Sequence, residues 1–183
     1  RNGTLLLDIG ANTDSRPENL AQFAVMGTVY MQKVMGRDNP TVGLLNIGTE
    51  ETKGNELCKS AYRLLKEMKT INFAGNVEAR EVPEGTVDIL VCDGFTGNIV
   101  LKYTEGLASG IFGKLKEEMT RTAVSKLGAM LLKPGLHRLK KIMDYTEVGG
   151  APLLGVNGGI IKAHGSSNAT AIKNAIRQGR LFL

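Results

Sequence analysis

The stretch Val-Asp-Ile-Leu-Val-Cys-Asp-Gly-Phe-Thr-Gly-Asn, residues 87–98, decides how this chain is expected to fold. Its first half, residues 87–92, is mainly apolar, which predicts a strand buried on both faces. The second half, residues 93–98, combines two glycines with Asp, Thr and Asn, a composition typical of a turn that leads into a helix. A buried strand, such a turn and a helix together form the repeating unit of a parallel α/β sheet.

Strand-like and helix-like segments alternate on both sides of this stretch. Pro17 suits a first helical position, and apolar residues recur after it at helical spacing. The dipeptide Asn157-Gly158 predicts a tight hairpin between two closing strands. The predicted strands are residues 4–9, 42–47, 71–74, 87–92, 153–156 and 159–163, and the predicted helices include residues 17–36, 55–68 and 168–179. The fold class is therefore α/β with a largely parallel sheet.

Length and composition suit one compact α/β domain over residues 1–183. The chain is 42% apolar and holds 23 glycines but only 5% aromatic residues, which favours an enzyme domain over an aromatic-rich binding module. It opens on Arg-Asn-Gly and soon enters an apolar stretch, so we expect no signal peptide and a truncated amino terminus. No apolar run approaches the roughly 20 residues of a membrane-spanning helix, so we expect any membrane contact to be peripheral.

The two cysteines, Cys58 and Cys92, show neither a CxxC spacing nor neighbouring histidines. We therefore expect no disulfide framework, no metal site and a reducing, cytoplasmic location. Neither cysteine lies in an activating motif, and the sequence has no GxSxG elbow. Covalent catalysis by a nucleophilic side chain is accordingly the weaker expectation.

Positive charge is concentrated in residues 114–143, the basic segment, which holds eight Lys/Arg against two Glu in a chain of net charge +5. The triplet Lys133-Pro134-Gly135 predicts that this amphipathic segment breaks into two helices, a hairpin protruding from the sheet. Two uses stay open: the apolar faces pack across a dimer, or the hairpin tip contacts an anionic membrane or an acidic partner protein. The contact residues for the second use are Leu131, Leu132, Lys133, Leu136, Arg138, Lys140 and Lys141. Nucleic acid is not an expected partner.

Four loops combine glycine with Asn, Asp, Ser or Thr where ligands bind in open α/β sheets, beyond the strand ends. Glycine lets backbone N–H groups approach an oxyanion, and a following helix amino terminus adds a positive dipole end. The alternative is that these residues are ordinary turn formers and helix caps. Because no GxGxxG turn or P-loop is present, a dinucleotide or nucleoside triphosphate site is not supported. The loops are residues 8–12, 46–49, 93–98 and 164–168.

Three titratable side chains in or beside these loops suit catalysis. His164 fits a phosphate-binding or acid–base role, with a structural hydrogen-bonding role as an equal alternative. Lys53 fits pairing with an anion, and its alternative is an exposed loop lysine. Asp93 fits orienting a partner or accepting a proton, or merely capping the next helix.

Seven blocks of the sequence, in order and from end to end, resemble the corresponding blocks of the PlsX family of phosphate acyltransferases. Several are long and peculiar to that family. They include Asp-Ile-Gly-Ala-Asn at 8–12, Lys-Gly-Asn-Glu-Leu at 53–57, Cys-Asp-Gly-Phe-Thr-Gly-Asn at 92–98 and Lys-Ala-His-Gly-Ser-Ser-Asn at 162–168. The others lie at residues 46–49, 71–78 and 149–158.

The resemblance implies a three-layer α/β/α fold like that of the isocitrate and isopropylmalate dehydrogenases, a homodimer and no cofactor. It implies that a fatty acyl-[acyl carrier protein] and inorganic phosphate become acyl phosphate and free carrier protein, in bacterial phospholipid synthesis. A downstream glycerol-phosphate acyltransferase is a further implied partner, and the location would be cytoplasmic, with peripheral contact to the inner face of the membrane. From the resemblance we expect that the family's amino-terminal portion is missing from this chain.

Phosphate is already a nucleophile near neutral pH, so such an enzyme mainly aligns it with the thioester and stabilises a tetrahedral oxyanion. His164, Lys53 and Asp93 are then the candidate catalytic residues. The candidate substrate-binding residues are Asp8, Gly10, Asn12, Gly54, Asn55, Gly94, Gly97, Asn98, Gly165, Ser166, Ser167 and Asn168. Two other functions stay open: a phosphotransacetylase-like enzyme that uses acyl-coenzyme A, and a non-catalytic scaffold at the membrane.

Overall fold

The computed structural model describes residues 3–142 and 148–182, with side chains as far as residue 139 in the first range. The chain divides into two compact units, Arg1–Thr104 and Glu105–Leu183. Each unit has its own sheet, four-stranded in the first and two-stranded in the second.

The first unit alternates strands and helices as the sequence predicted. Its four strands are all parallel, in the order β1-β4-β2-β3. Its elements are β1 (Leu5–Leu7), α1 (Pro17–Lys33), β2 (Thr41–Asn46), α2 (Glu56–Glu67), β3 (Asn72–Glu78), a 3-10 helix (Ala79–Glu84), β4 (Ile89–Val91) and the start of α3 (Gly94–Met119). The α/β class with a mostly parallel sheet is confirmed and is consistent with three layers, whereas the dehydrogenase-like arrangement stays a prediction.

Strand β4 lies inside the sheet, between β1 and β2. Leu90 pairs with Leu6 on one side and with Gly43 on the other. All three residues of β4 are fully buried, as expected for a parallel strand that is covered on both faces. Helix α1 comes close because it carries Gly27, where a Cβ would lie only 2.9 Å from the Ile89 side chain.

The second unit differs from the prediction in where its helices break. Helix α3 ends at Met119 and α4 (Ala123–Ile142) runs through Pro134 without interruption, so the predicted break at residues 133–135 is wrong. The break lies at residues 120–122 because two threonines satisfy the helix ends. Thr120 Oγ1 donates to the Lys116 carbonyl (2.9 Å), and Thr122 Oγ1 accepts from Ser125 N (3.0 Å). That α3 and α4 form a protruding hairpin stays a prediction.

A closing antiparallel strand pair is present, but both strands are shorter than predicted and the first lies earlier in the chain. Strands β5 (Ala151–Pro152) and β6 (Ile161–Lys162) are antiparallel, with Pro152 opposite Ile161. One further bond, from Leu153 N to Ile160 O (2.8 Å), ends the ladder. Residues 153–156 are therefore loop rather than strand, and Asn157-Gly158 lies within an eight-residue connection. Positive φ angles at Gly155 (80°) and Gly158 (125°) turn the backbone away from an extended path.

Helix α5 (Ala169–Gly179) and a 3-10 helix (Arg180–Phe182) complete the second unit. Asn168 precedes α5 as its N-cap, since its side chain accepts from Ala171 N at 2.9 Å. Within the described residues, no helix combines the length and the apolar character needed to cross a membrane.

Candidate functional site

Three loops of the first unit follow neighbouring strands and meet at one edge of the sheet. They come after β1, β4 and β2, which lie side by side and run in the same direction. The carboxyl edge of a parallel sheet is where such folds bind ligands. The predicted site residues of the first unit, among them Asp8, Lys53 and Asp93, therefore lie in loops at the same edge of the sheet.

The Asp8 carboxylate accepts hydrogen bonds from the backbone amides of its own loop. Asp8 is buried, and its two oxygens accept from Gly10 N (2.8 Å), Ala11 N (2.9 Å) and Asn12 N (2.6 Å). The backbone amides that the sequence offered to an oxyanion at this loop therefore point at Asp8. Loop 8–12 is therefore preformed, and it is held on the sheet by the hydrogen bonds from Asp8 N to Cys92 O (3.0 Å) and from Cys92 N to Leu7 O (2.9 Å).

Two glycines let α3 pack directly against loop 8–12. Gly94 N donates to Asn12 O (2.9 Å), and a Cβ at Gly94 would lie 2.6 Å from that oxygen. A Cβ at Gly97 would overlap the Asp8 carbonyl oxygen. Gly94 and Gly97 thus serve close backbone packing, and the exposed Asn98 side chain lies against Gly10.

The Asp93 carboxylate caps α3. One oxygen accepts from Thr96 N (2.9 Å) and the other from Thr96 Oγ1 (2.7 Å). This is the capping role that the sequence left as the alternative. A role in catalysis stays a prediction, and it would use the remaining acceptor capacity of a carboxylate that is already oriented.

Lys53 lies in the loop between β2 and α2, three residues before the helix begins. Its side chain is exposed, while its backbone carbonyl accepts from the buried Asn46 Nδ2 at 3.1 Å. Gly54 follows with a φ of +91°, and a Cβ there would crowd Cys58 at 2.8 Å. Asn55 then caps α2 by accepting from Cys58 N (2.9 Å). The loop is tightly built, and it leaves the Lys53 ammonium at the surface.

Neither Cys58 nor Cys92 has a thiol that is activated as a nucleophile. Burial raises the pKa of Cys58, an effect that the Asn55 hydrogen bond opposes and the Asp93 charge reinforces. Burial also raises the pKa of Cys92 well above its ordinary range, and the charges of Asp93 and Asp8 add to it. Because the thiolate is the reactive form, both cysteines are poor nucleophiles near neutral pH.

The loop before α5 belongs to the second unit. His164 is exposed, and its Nδ1 lies 2.7 Å from Ser166 Oγ and accepts from Ser166 N at 3.2 Å. An accepting Nδ1 places the proton of the neutral ring on Nε2, which is then a donor. Ser167 N donates to the His164 carbonyl (3.0 Å), and its Oγ is buried without a partner among the described residues. Gly165 is exposed and Asn168 caps α5.

The predicted membrane or partner contacts lie on α4. Leu131 (79% exposed) and Leu132 (59%) project from it, and so do the exposed Lys133 and Arg138. Leu136 is half-buried and lines a groove of about 370 Å³ beside α3. Because the break lies at residues 120–122, none of these side chains is at a hairpin tip, which corrects that expectation.

Lys140 and Lys141 also belong to α4, but their side chains lie outside the described ones. Met143, the last residue of the basic segment, lies outside the described residues altogether. Within the described ranges, no group of three or more His, Cys, Asp or Glu side chains has the arrangement of a metal site.

Comparison with known proteins decides the family. The family described as "Fatty acid synthesis protein" matches residues 1–183. This chain belongs to that family, the PlsX family. It is 59% identical over 180 residues to the phosphate acyltransferase of Brevibacillus brevis, 98% of this chain and 53% of the relative. The phosphate acyltransferase of Alkaliphilus oremlandii is 58% identical over 180 residues (98% and 53%), and that of Clostridium perfringens is 60% identical over 178 residues (97% and 52%).

Membership of the PlsX family confirms the resemblance that the sequence blocks indicated. The chain spans about half the length of the curated relatives it matches, 53% of the Brevibacillus brevis protein. Two buried asparagines beside this site, Asn46 and Asn76, were not among the predicted site residues, although Asn46 begins the predicted loop 46–49. For Asn76 the signal in the sequence is a polar residue inside a strand, where an apolar residue is the rule.

Proposed function

We propose that this chain is part of an enzyme that transfers a fatty acyl group from acyl carrier protein to inorganic phosphate. The observation that carries the proposal is the match to phosphate acyltransferases at about 59% identity along 98% of the chain. The products are acyl phosphate and free carrier protein. The whole protein would act in bacterial phospholipid synthesis, in the cytoplasm, without a cofactor.

The chemistry needs no side-chain nucleophile. A phosphate oxygen attacks the thioester carbonyl carbon, the carbonyl oxygen becomes an oxyanion, and the tetrahedral intermediate expels the carrier thiolate, which takes up a proton. Positioned donors and cations can supply the catalysis of such a step. The raised pKa values of Cys58 and Cys92 agree with direct transfer to phosphate rather than an acyl-thiol enzyme intermediate.

We assign roles to the predicted residues on this basis. Lys53 supplies a cation for phosphate, while His164 donates from Nε2, with Ser166 and Ser167 beside it, to phosphate or the oxyanion. Asp93 orients the amino terminus of α3, and Asp8 holds loop 8–12 beside that helix in its conformation. The remaining predicted binding residues are Gly10, Asn12, Gly54, Asn55, Gly94, Gly97, Asn98, Gly165 and Asn168, which let the backbone approach a ligand or cap the adjoining helices.

The test uses the full-length protein with palmitoyl-[acyl carrier protein] or palmitoyl-coenzyme A, each with inorganic phosphate. The thiol of free carrier protein or coenzyme A that is released only when phosphate is present can be titrated with a thiol reagent, so transfer to phosphate can be timed. We expect clear preference for the carrier-protein ester. A preference for the coenzyme A ester would indicate the phosphotransacetylase-like function, and a rate no faster than buffer would indicate the scaffold.

A second role concerns the exposed apolar side chains of α3 and α4. Ile99, Tyr103, Leu107 and Ile111 recur every fourth residue along α3 and are 49–69% exposed. Such large apolar surfaces mark contacts with another protein or a membrane. We propose that they pack in a homodimer, while the basic face of α4 meets an anionic membrane, the acidic carrier protein or a downstream glycerol-phosphate acyltransferase.

A further inference from the structure

Asn76 is a buried polar residue whose hydrogen bonding is incomplete. It lies on β3 and is 7% exposed. Its Nδ2 donates to the Glu50 carbonyl at 2.8 Å, whereas its Oδ1 is buried and contacts no donor among the described residues. Because a carbonyl only accepts, the amide group must face Glu50, and the alternative flipped orientation is excluded. A buried acceptor without a partner is destabilising, so the fold alone gives little reason for an asparagine here.

The Glu50 carbonyl begins the turn that ends at Lys53. The same oxygen accepts from Lys53 N at 3.1 Å. Asn76 therefore holds, from the neighbouring strand, the acceptor to which the backbone of Lys53 is bonded. Two hydrogen bonds thus connect Asn76 on β3 to the backbone of Lys53.

Asn46 fixes the other side of Lys53. Its Nδ2 donates to the Lys53 carbonyl (3.1 Å), and its Oδ1 accepts from Ile47 N (2.8 Å). The Lys53 side chain then passes close over Gly48, where a Cβ would lie 2.9 Å from Lys53 Cγ. Both backbone groups of Lys53 and the first part of its side chain are thus set by neighbours.

We propose that Asn76 is a positioning residue, which acts through the Glu50 carbonyl to present the Lys53 ammonium to an oxygen of inorganic phosphate. The assignment of phosphate to Lys53 rests on the proposed function. A flexible lysine is a point charge on a long stem, so the backbone turn beneath it decides where that charge is found. Groups fixed before the substrate arrives stabilise it more than groups that must be ordered on binding.

The experiment compares Asn76→Ala with Asn72→Ala in the full-length protein. Asn72 is a matched control because it lies on the same strand and its Nδ2 also donates to a backbone carbonyl, that of Asn39 (3.3 Å). Asn76→Leu is a second variant that keeps the side-chain volume. We expect the KM for phosphate to rise about tenfold or more in both Asn76 variants and to change less than about twofold in Asn72→Ala, as one lost interaction of about 1.4 kcal/mol gives tenfold. The KM for the acyl carrier substrate should not change.

A double-mutant cycle with Lys53→Met tests whether Asn76 acts through Lys53. In the Lys53→Met background, Asn76→Leu should have no further effect on phosphate. Additive losses, an unchanged phosphate KM, or loss of folding in both Asn76 variants would overturn the proposal. Calorimetric titration with inorganic phosphate gives a second readout. If the wild type makes no acyl phosphate, the proposed function fails, but the titration still decides: binding weakened by Asn76→Leu supports the positioning role, and equal or absent binding overturns it.

Discussion

Gly97 shows how one residue can decide the geometry of the site. It lies in the first turn of α3, where its Cα faces the Asp8 backbone so closely that a Cβ would overlap the carbonyl oxygen. The contact is with backbone, so no side-chain rotation can relieve it. The helix and the Asp8 loop would have to move apart.

Gly97→Ala should therefore lower the free energy of unfolding by about 2 kcal/mol or more, since overpacking against rigid neighbours typically costs 1–3 kcal/mol. Chemical denaturation measures it. Gly106→Ala is the matched control in the same helix, because a Cβ at Gly106 has no atom within 4 Å. That control should gain about 0.5–1 kcal/mol from the better helix propensity of alanine. Equal effects at both positions would contradict the packing argument.

His164→Ala should reduce turnover about tenfold or more, because the loss of one donor to an oxyanion costs roughly a hundredfold or more where the donor is well placed. Steady-state rates at saturating phosphate measure it. Ser166→Ala keeps the ring and removes only the hydroxyl beside Nδ1, so it should have the smaller effect. Wild-type turnover in His164→Ala would assign the residue a structural role.

The helix caps of the site were readable from residue type, and the buried asparagines were not. Asp93 and Asn168 cap the helices they precede, which is the alternative that the sequence left open for their loops, and Asn55 caps α2 in the same way. The partner of Asn76 is a carbonyl 26 positions away, which no local pattern encodes. That Asp8 would use up the amides of its own loop was also not predicted, because the sequence shows the glycine and not the direction of the N–H groups.

At the scale of elements, Asp88 joins the beginnings of two neighbouring strands. Its carboxylate accepts from Thr41 N (2.9 Å) and Thr41 Oγ1 (3.0 Å) and forms an ion pair with Arg37. Burial alone would raise the pKa of Asp88, but the hydrogen bonds from Thr41 and the charge of Arg37 outweigh it and hold that pKa below its ordinary value. Folding therefore favours the ionised form.

Asp88→Asn should cost about 1–3 kcal/mol of unfolding free energy at neutral pH, because it weakens acceptor bonds that involve a charge. A lowered folded pKa means that the stabilisation is fully present above the unfolded pKa of about 3.9 and is lost as the pH falls through the folded value. The difference between wild type and variant should thus shrink below about pH 4, as urea denaturation at several pH values would show. Asp38→Asn, at an exposed residue nearby, is the control. A difference that grows on acidification would contradict this account.

Pro134 shows why the helix boundaries of the second unit could not be predicted. Proline usually ends a helix because it lacks an N–H and its ring crowds the preceding turn. Here α4 continues through it at an exposed position, where the unpaired carbonyl of the preceding turn can bond to water. Thr120 and Thr122 satisfy the helix ends instead. In the sequence these threonines indicate a helix end less strongly than Pro134 does, so the prediction followed the proline.

At the scale of the whole molecule, the apolar side chains of α4 are a feature that the sequence located but did not explain, whereas those of α3 before residue 114 were not predicted. Val124 (82% exposed), Leu127 (62%) and Leu131 (79%) follow the helical spacing of one face of α4. Lys126, Lys133 and Arg138 are exposed on the same helix. An apolar stripe flanked by cations suits an anionic bilayer, and an apolar stripe by itself suits a second copy of the chain.

Leu127→Glu combined with Leu131→Glu should separate these two uses. The wild type should float with liposomes rich in anionic lipid at low salt and be released as salt screens the charges, while the double variant stays in solution. Leu131 is a better probe than Leu136, because Leu136 is half-buried in the groove beside α3. Ile172→Glu with Ile176→Glu on α5 is the matched control, since it makes the same charge change at exposed positions one helical turn apart.

Flotation and sedimentation velocity must be read together for these variants. If the α4 variant no longer floats but keeps the oligomeric state and the soluble turnover of the wild type, the stripe contacts the membrane. If it becomes a monomer, the stripe packs against a second copy, because glutamates facing each other across a two-fold axis repel. A wild-type protein that never floats at low salt would end the membrane proposal and leave the dimer as the explanation for why so many large apolar side chains of α4 are exposed in a single chain.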